Sequence, residues 1–183
     1  AGSRRSGKPG MKTATLIYNP RAGQLNTAAK VEAAAGVWRS HGWRVTMRPT
    51  QAPGHAAELA HQAAGAGAAV VLAAGGDGTL GQVADGLAGS ETILAPLPVG
   101  TANALARELR LPRPNLLDPN APLLAATALL AGRVQRVDLS YMQNRAAAGH
   151  ALLWTGVGAD GYLVQQLEPR PTWSKRLGPV GYS

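Results

Sequence analysis

No cysteine occurs anywhere in this chain, which excludes disulfide bridges and thiolate metal sites and is compatible with a reducing cytoplasm. Phenylalanine is absent too, and aromatics make up only 4% of residues against a hydrophobic content of 45%, so any core is built from Ala, Val and Leu. No apolar run is long enough to cross a bilayer, and the N-terminus lacks the apolar segment of a secretory signal. Acidic residues are scarce: 10 stand against 18 Lys and Arg, a formal net charge of +8. A basic balance of this size suits an anionic partner, or is simply an Arg-rich solvated surface. Nucleic acid is disfavoured as that partner, because the basic residues are dispersed and no segment interleaves them with aromatics.

What is present is an alternation of strand and helix signals. At 183 residues the chain can hold one domain with a core, or one domain and part of another. Residues 1–10 are small, basic and glycine-rich and read as a disordered tail or tag, with Met11 as the native start. Strands are expected over residues 13–18, 43–48, 69–74 and 93–97, and helices over 27–39, 56–64, 80–87, 102–109 and 122–131. Such alternation argues for a parallel sheet covered by helices, an α/β domain spanning residues 11–133. The texture then changes. Residues 134–141 and 151–155 read as two strands joined by a polar segment around Gln143-Asn144-Arg145, followed by a second glycine loop, Gly156-Val157-Gly158-Ala159-Asp160-Gly161. Residues 134–183 offer too few strands for an independent core and read as the incomplete start of a second domain.

The most informative feature is Gly75-Gly76-Asp77-Gly78-Thr79, set between the apolar run 69–74 and the helical spacing that follows. A glycine turn between strand and helix aims backbone N–H groups at one point, and the helix N-terminus adds positive partial charge there, which suits phosphate. Asp77 is the odd member. A carboxylate beside a phosphate repels it unless a cation intervenes, which implicates Mg²⁺. The motif is otherwise a plain strand-to-helix turn.

Two further motifs follow other strands: Asn19-Pro20-Arg21-Ala22-Gly23 after the first, and Pro98-Val99-Gly100-Thr101-Ala102-Asn103 after the fourth, running on into Leu105-Ala106-Arg107-Glu108-Leu109. Together the three resemble the catalytic domain of the diacylglycerol kinase family, in particular its bacterial soluble lipid kinases, with sphingosine and ceramide kinases more distant. The likeness continues through Val137-Asp138, Gly156 to Asp160 and Lys175-Arg176-Leu177-Gly178-Pro179. The glycine motif alone is shared with NAD kinases and phosphofructokinase relatives. The run from Gly100 to Leu109 selects the lipid kinase branch.

The resemblance implies an NAD kinase-like nucleotide-binding domain followed by a β-sandwich, with ATP and Mg²⁺ as cofactors and a lipid hydroxyl as phosphoryl acceptor. It implies a cytoplasmic protein peripheral to the membrane. It places nucleotide contacts at Asn19, Thr50, Gly75, Gly76, Asp77, Gly78, Thr79, Leu80, Gly81 and Thr101. Read as residues, Thr50 and Thr101 are hydroxyls at strand ends or ordinary cap threonines, Asn19 is a ligand group or a turn former, and Arg21 binds phosphate or is solvated. The family's Mg²⁺–water network matches Asp77 and Asp138, the latter equally a residue capping a strand end. A third family carboxylate is replaced by Ala104. Gly81-Gln82 stands where the family has Asn-Glu, which removes a charge and a polar contact. The family's catalytic base falls beyond Ser183, so the chain is expected to be an N-terminal fragment that is inactive alone, with open strand edges that permit a homo-oligomer. His41, His55, His61 and His150 read as solvated. The alternatives are an NAD kinase-like enzyme with a soluble acceptor and a non-catalytic nucleotide-binding regulatory module.

Overall fold

Short apolar runs become strands here because both of their faces are covered by helices. The computed structural model describes residues 11–22, 27–113, 120–143, 145 and 148–153. In chain order the elements are β1 (Thr13–Tyr18), α1 (Thr27–Ser40), β2 (Arg44–Pro49), α2 (His55–Gly65), β3 (Val70–Gly75), α3 (Asp77–Leu87), β4 (Ile93–Pro98), α4 (Ala104–Glu108), α5 (Ala121–Leu130), β5 (Ser140–Gln143) and β6 (Ala148–Ala151).

The first four strands form one sheet in the order β2-β1-β3-β4, every pair parallel. β3 is central and wholly buried: Val70, Leu72 and Ala74 pack with α1 and α5 on one face, Val71 and Ala73 with α2 and α3 on the other. Burial on both faces explains why its sequence is continuously apolar and does not alternate. β4 carries Pro96 and Pro98, which lack a ladder donor, and it lies at the sheet edge where that loss is tolerated. Trp38 Nε1–H donates to Ala126 O at 3.1 Å, tying α1 to α5 across the buried face. On the opposite face α2 and α3 meet backbone to backbone: a Cβ on Gly86 would lie 2.1 Å from Ala57 O.

This is the parallel α/β architecture expected from the sequence, with element boundaries shifted at informative places. α3 begins at Asp77, not at Leu80, so Gly75 ends the strand, Gly76 caps the helix, and Asp77-Gly78-Thr79 are its first turn. α4 is shorter than the expected 102–109, because Asn103 adopts a left-handed conformation at φ 48° just before it.

The C-terminal strands depart further. Of the strand expected over residues 134–141, only Ser140 and Tyr141 are extended in a ladder; β5 pairs antiparallel with β6 from Ser140↔Ala151 to Gln143↔Ala148. A strand needs a partner, and residues 132–139 have none among the described residues. Val134 and Val137 stay 66% and 65% exposed. β6 starts three residues before the expected 151–155, and residues 154 and 155 lie outside the described residues, as do 1–10, the second glycine loop with Asp160, and residues 175–179.

Two glycine substitutions should move stability in opposite directions. Gly86→Ala forces a Cβ into the Ala57 carbonyl and is expected to destabilise by about 1–3 kcal/mol. Gly36→Ala, on an exposed turn of α1 with nothing within 4 Å, is expected to stabilise by about 0.5–1 kcal/mol through helix propensity. Urea denaturation of both variants checks the pair.

Candidate functional site

Four loops at the carboxyl ends of the parallel strands carry the expected contacts: Asn19 follows β1, Thr50 follows β2, the glycine turn follows β3 and Thr101 follows β4. β1 connects through α1 to β2 on one side, and β3 connects through α3 to β4 on the other, so the chain reverses direction between β1 and β3. Open α/β sheets form their ligand crevice at such a point. There Asn19 N–H donates to Ala74 O at 3.1 Å and Thr50 N–H donates to Tyr18 O at 2.8 Å, holding the loops after β1 and β2 beside the glycine turn. Asn19 Oδ1 accepts Arg21 N–H at 2.9 Å, closing its own turn. Thr50 is half-buried, and Thr101 is exposed.

The start of α3 supplies the anion-binding geometry. Gly76, the cap, is extended and offers no side-chain hydrogen bond. The first bond into the helix is Leu80 N–H to Gly76 O at 3.1 Å, which leaves Asp77, Gly78 and Thr79 N–H without an intrahelical acceptor. These three donors and the helix dipole point out of the sheet edge. The Thr79 side chain turns the other way and is buried against Gly75, where a Cβ would lie 2.5 Å from Thr79 Cβ. Leu80 is buried in the α2–α3 core, so only its backbone is near the turn. Gly81 lies on the next turn, in open space: a Cβ there would meet nothing within 4 Å.

Asp77 joins this turn to the loop after β4. Its Oδ1 accepts Ala104 N–H at 2.7 Å, so the carboxylate satisfies the first turn of α4. Behind it the two loops touch through glycine: a Cβ on Gly100 would lie 2.5 Å from Gly76 Cα. Asn103 closes its own loop by accepting Gly100 N–H at 3.0 Å and donating Nδ2–H to Gly100 O at 2.6 Å. Ala104, where the resemblance expects a carboxylate, is 2% exposed and part of the packed interior.

Three side chains act differently from what their sequence context suggests. Gln82 does not lose a polar contact: its Oε1 accepts Gly54 N–H at 3.1 Å, bracing the start of α2 against α3. His55 is not merely solvated, since Nδ1 accepts Gln51 N–H at 3.1 Å beside Thr50. His150, its side chain 35% exposed, is likewise not merely solvated. Asp85 Oδ1 lies 2.9 Å from His150 Nδ1 and accepts His150 N–H at 2.7 Å, and the Tyr141 ring lies 5.1 Å from the imidazole. Asp85 gives no sign of this role in the sequence, because its partner is 65 positions away and no local motif marks it. Asp138 falls in the exposed stretch before β5, in no ion pair among the described residues. No group of three or more His, Cys, Asp or Glu could hold a metal ion among the described residues.

The glycine pair separates fold from site. Gly100→Ala drives a Cβ into Gly76 and is expected to lower stability by about 1–3 kcal/mol. Gly76→Val places its Cβ 3.9 Å from the nearest atom outside the turn, Gly100 Cα, so the fold is expected to survive while the branched side chain covers the free N–H groups. Thermal melts and calorimetric titration with ATP check both halves: a Gly76→Val protein that melts normally and binds ATP normally would show that the turn is only a turn.

Comparison with known proteins identifies the family of this fold. The diacylglycerol kinase catalytic domain matches over residues 13–142. A diacylglycerol kinase of Bacillus subtilis is 31% identical over 74% of this chain and 43% of its own length, and a YegS-like lipid kinase of Pseudomonas putida is 40% identical over 60% of this chain and 35% of its own. A crystal structure of a diacylglycerol kinase from Bacillus anthracis superposes with a TM-score of 0.58 at 25% identity, covering 70% of this chain and 42% of that one. This chain thus spans less than half the length of these relatives. With the match covering all four strands of the parallel sheet and the loops that bear Gly75-Gly76 and Gly100, the chain belongs to the diacylglycerol kinase catalytic domain family.

Proposed function

We propose that this chain is the nucleotide-binding part of an ATP-dependent lipid kinase that moves the ATP γ-phosphoryl group to a lipid hydroxyl at a membrane surface. The observation that carries the reading is the uncapped start of α3, with three free N–H donors at the crevice of the sheet. Phosphoryl transfer asks a protein mainly for positioning and charge neutralisation. The turn Gly75–Thr79 would cradle phosphate oxygens, Asn19 and Thr50 would border the nucleotide from the loops after β1 and β2, and Thr101 would face it from the loop after β4. In the transfer the acceptor oxygen bonds to the γ-phosphorus, the bond to the β-phosphate oxygen breaks, ADP departs, and the hydroxyl proton passes to a general base.

The donor set fits Mg²⁺ held chiefly by phosphates and water. One Asp77 oxygen is committed to Ala104 N–H, and the carboxylate stands at the same turn as the free donors. One or two protein carboxylates are the usual complement of an ion bound with substrate phosphates. When bound, that ion would supply positive charge to offset that of the phosphates. Asp77 would hold it through water, with Asp138 in a supporting place.

Titration with ATP, with and without Mg²⁺, tests the reading, followed by transfer of labelled phosphate to diacylglycerol vesicles or to NAD. Binding of ATP at the turn of this chain, with label appearing in lipid when transfer is assayed in the full-length kinase, supports it; no ATP binding, or label in the soluble acceptor alone, overturns it. Asp77→Asn keeps an acceptor for Ala104 N–H while removing the charge. It is expected to abolish most of the Mg²⁺ enhancement of ATP affinity, roughly tenfold, without weakening Mg²⁺-free binding. Where transfer is measured, it is expected to lower kcat by about 10²–10³. Asp138→Asn is expected to do less in both assays.

A further inference from the structure

The segment leaving the site carries an arginine where a glycine belongs. α4 ends at Glu108 with Leu109 as its C-cap, and Arg110 then adopts the left-handed conformation at φ 55°. Arg110 N–H to Arg107 O at 3.0 Å and Leu111 N–H to Ala106 O at 2.8 Å close the helix end. Glycine dominates this position because any Cβ crowds the neighbouring backbone. Among the described residues only Asn103 and Arg110 are non-glycine at positive φ. Asn103 offsets the strain with its two hydrogen bonds to Gly100. Arg110 has no such compensation: its side chain is exposed and in no hydrogen bond or ion pair among the described residues.

Its neighbours share this condition. Arg107 and Arg113 are exposed and in no ion pair among the described residues, whereas Arg39 is paired with Glu32 and Arg136 with Glu91. Leu109, between them, is 50% exposed. From Arg107 to Arg113 the chain reads three arginines, one glutamate and two leucines, a cationic stretch with an apolar foot. Uncompensated strain at an exposed residue points to a use for its side chain outside the fold. We infer that Arg107, Leu109, Arg110 and Arg113 form a contact surface for an anionic membrane. Charge complementarity selects that occupant, and the exposed leucine favours a lipid interface over a soluble anion. The location is apt: α4 starts at the N–H bonded by Asp77 and is only about 7 Å long, so a membrane docked there lies close to the phosphate turn. The choice of membrane face rests on the lipid kinase reading; the binding itself does not.

Cosedimentation with vesicles of phosphatidylglycerol and phosphatidylcholine, against phosphatidylcholine alone, tests this at low ionic strength. The wild type is expected to prefer the anionic vesicles, and Arg110→Gly to lose about fivefold in affinity for them. The same variant is expected to melt no lower than wild type and to bind ATP unchanged. Arg39→Gln, an equal change of charge at an ion-paired site, is expected to leave vesicle binding near wild type. No preference for anionic vesicles, an equal loss from Arg39→Gln, or a lowered melting point of Arg110→Gly would overturn the inference. So would loss of ATP affinity with vesicle binding intact, which would assign the arginine to a soluble phosphate. Failure of the kinase reading would show separately, as absent ATP binding in a wild type that still sediments with anionic vesicles.

Discussion

The hydrogen bond from Ala104 N–H to the Asp77 carboxylate is the constraint on which the site depends. It joins the first turn of α3 to the first turn of α4 and so fixes the loops after β3 and β4 as one surface. The join is possible because the loops approach through glycine, with Gly100 against Gly76, leaving no room for a side chain on Gly100. At α4 the first donor, Ala104 N–H, is taken by a carboxylate; at α3 the cap is glycine and the first three donors remain open. One aspartate therefore does two things: it completes a helix end with one oxygen and brings negative charge to the phosphate turn.

The rest of the molecule holds that turn in place. β3 is buried on both faces and cannot slide without moving two cores. α3 is braced against α2 through Gly86 and through Gln82 to Gly54 N–H. Its far end meets the β5–β6 hairpin at Asp85 and His150. A single helix thus runs from the phosphate turn to the β5–β6 hairpin.

The sheet was legible in the sequence because burial on both faces leaves a plain mark, the run Val70-Val71-Leu72-Ala73-Ala74 above all. The glycine turn was legible because so few physical demands call for two glycines, an aspartate and a threonine between strand and helix. Its partner was not. Asp77 and Ala104 lie 27 positions apart, and nothing local in either says that they meet. The same distance effect hid Asp85 and His150, whose pairing makes a surface histidine into a joint. The expected strand over residues 134–141 failed for a related reason: alternation at Val137, Leu139 and Tyr141 describes a strand face, but a ladder also needs a neighbour, and pairing begins only at Ser140 opposite Ala151. Gln82, read as a lost contact by comparison with a family pattern, makes one that only the fold reveals.

The central claim is that the open donors of α3, not the start of α4 where Ala104 N–H is held by Asp77, receive phosphate. Amide chemical shifts of the ¹⁵N-labelled protein during titration with ATP test it most directly. The largest shifts are expected at Asp77, Gly78 and Thr79, with Ala104 N–H remaining protected from exchange by its bond to Asp77. Shifts centred elsewhere with these three amides unmoved, or release of Ala104 N–H as the nucleotide binds, would contradict it.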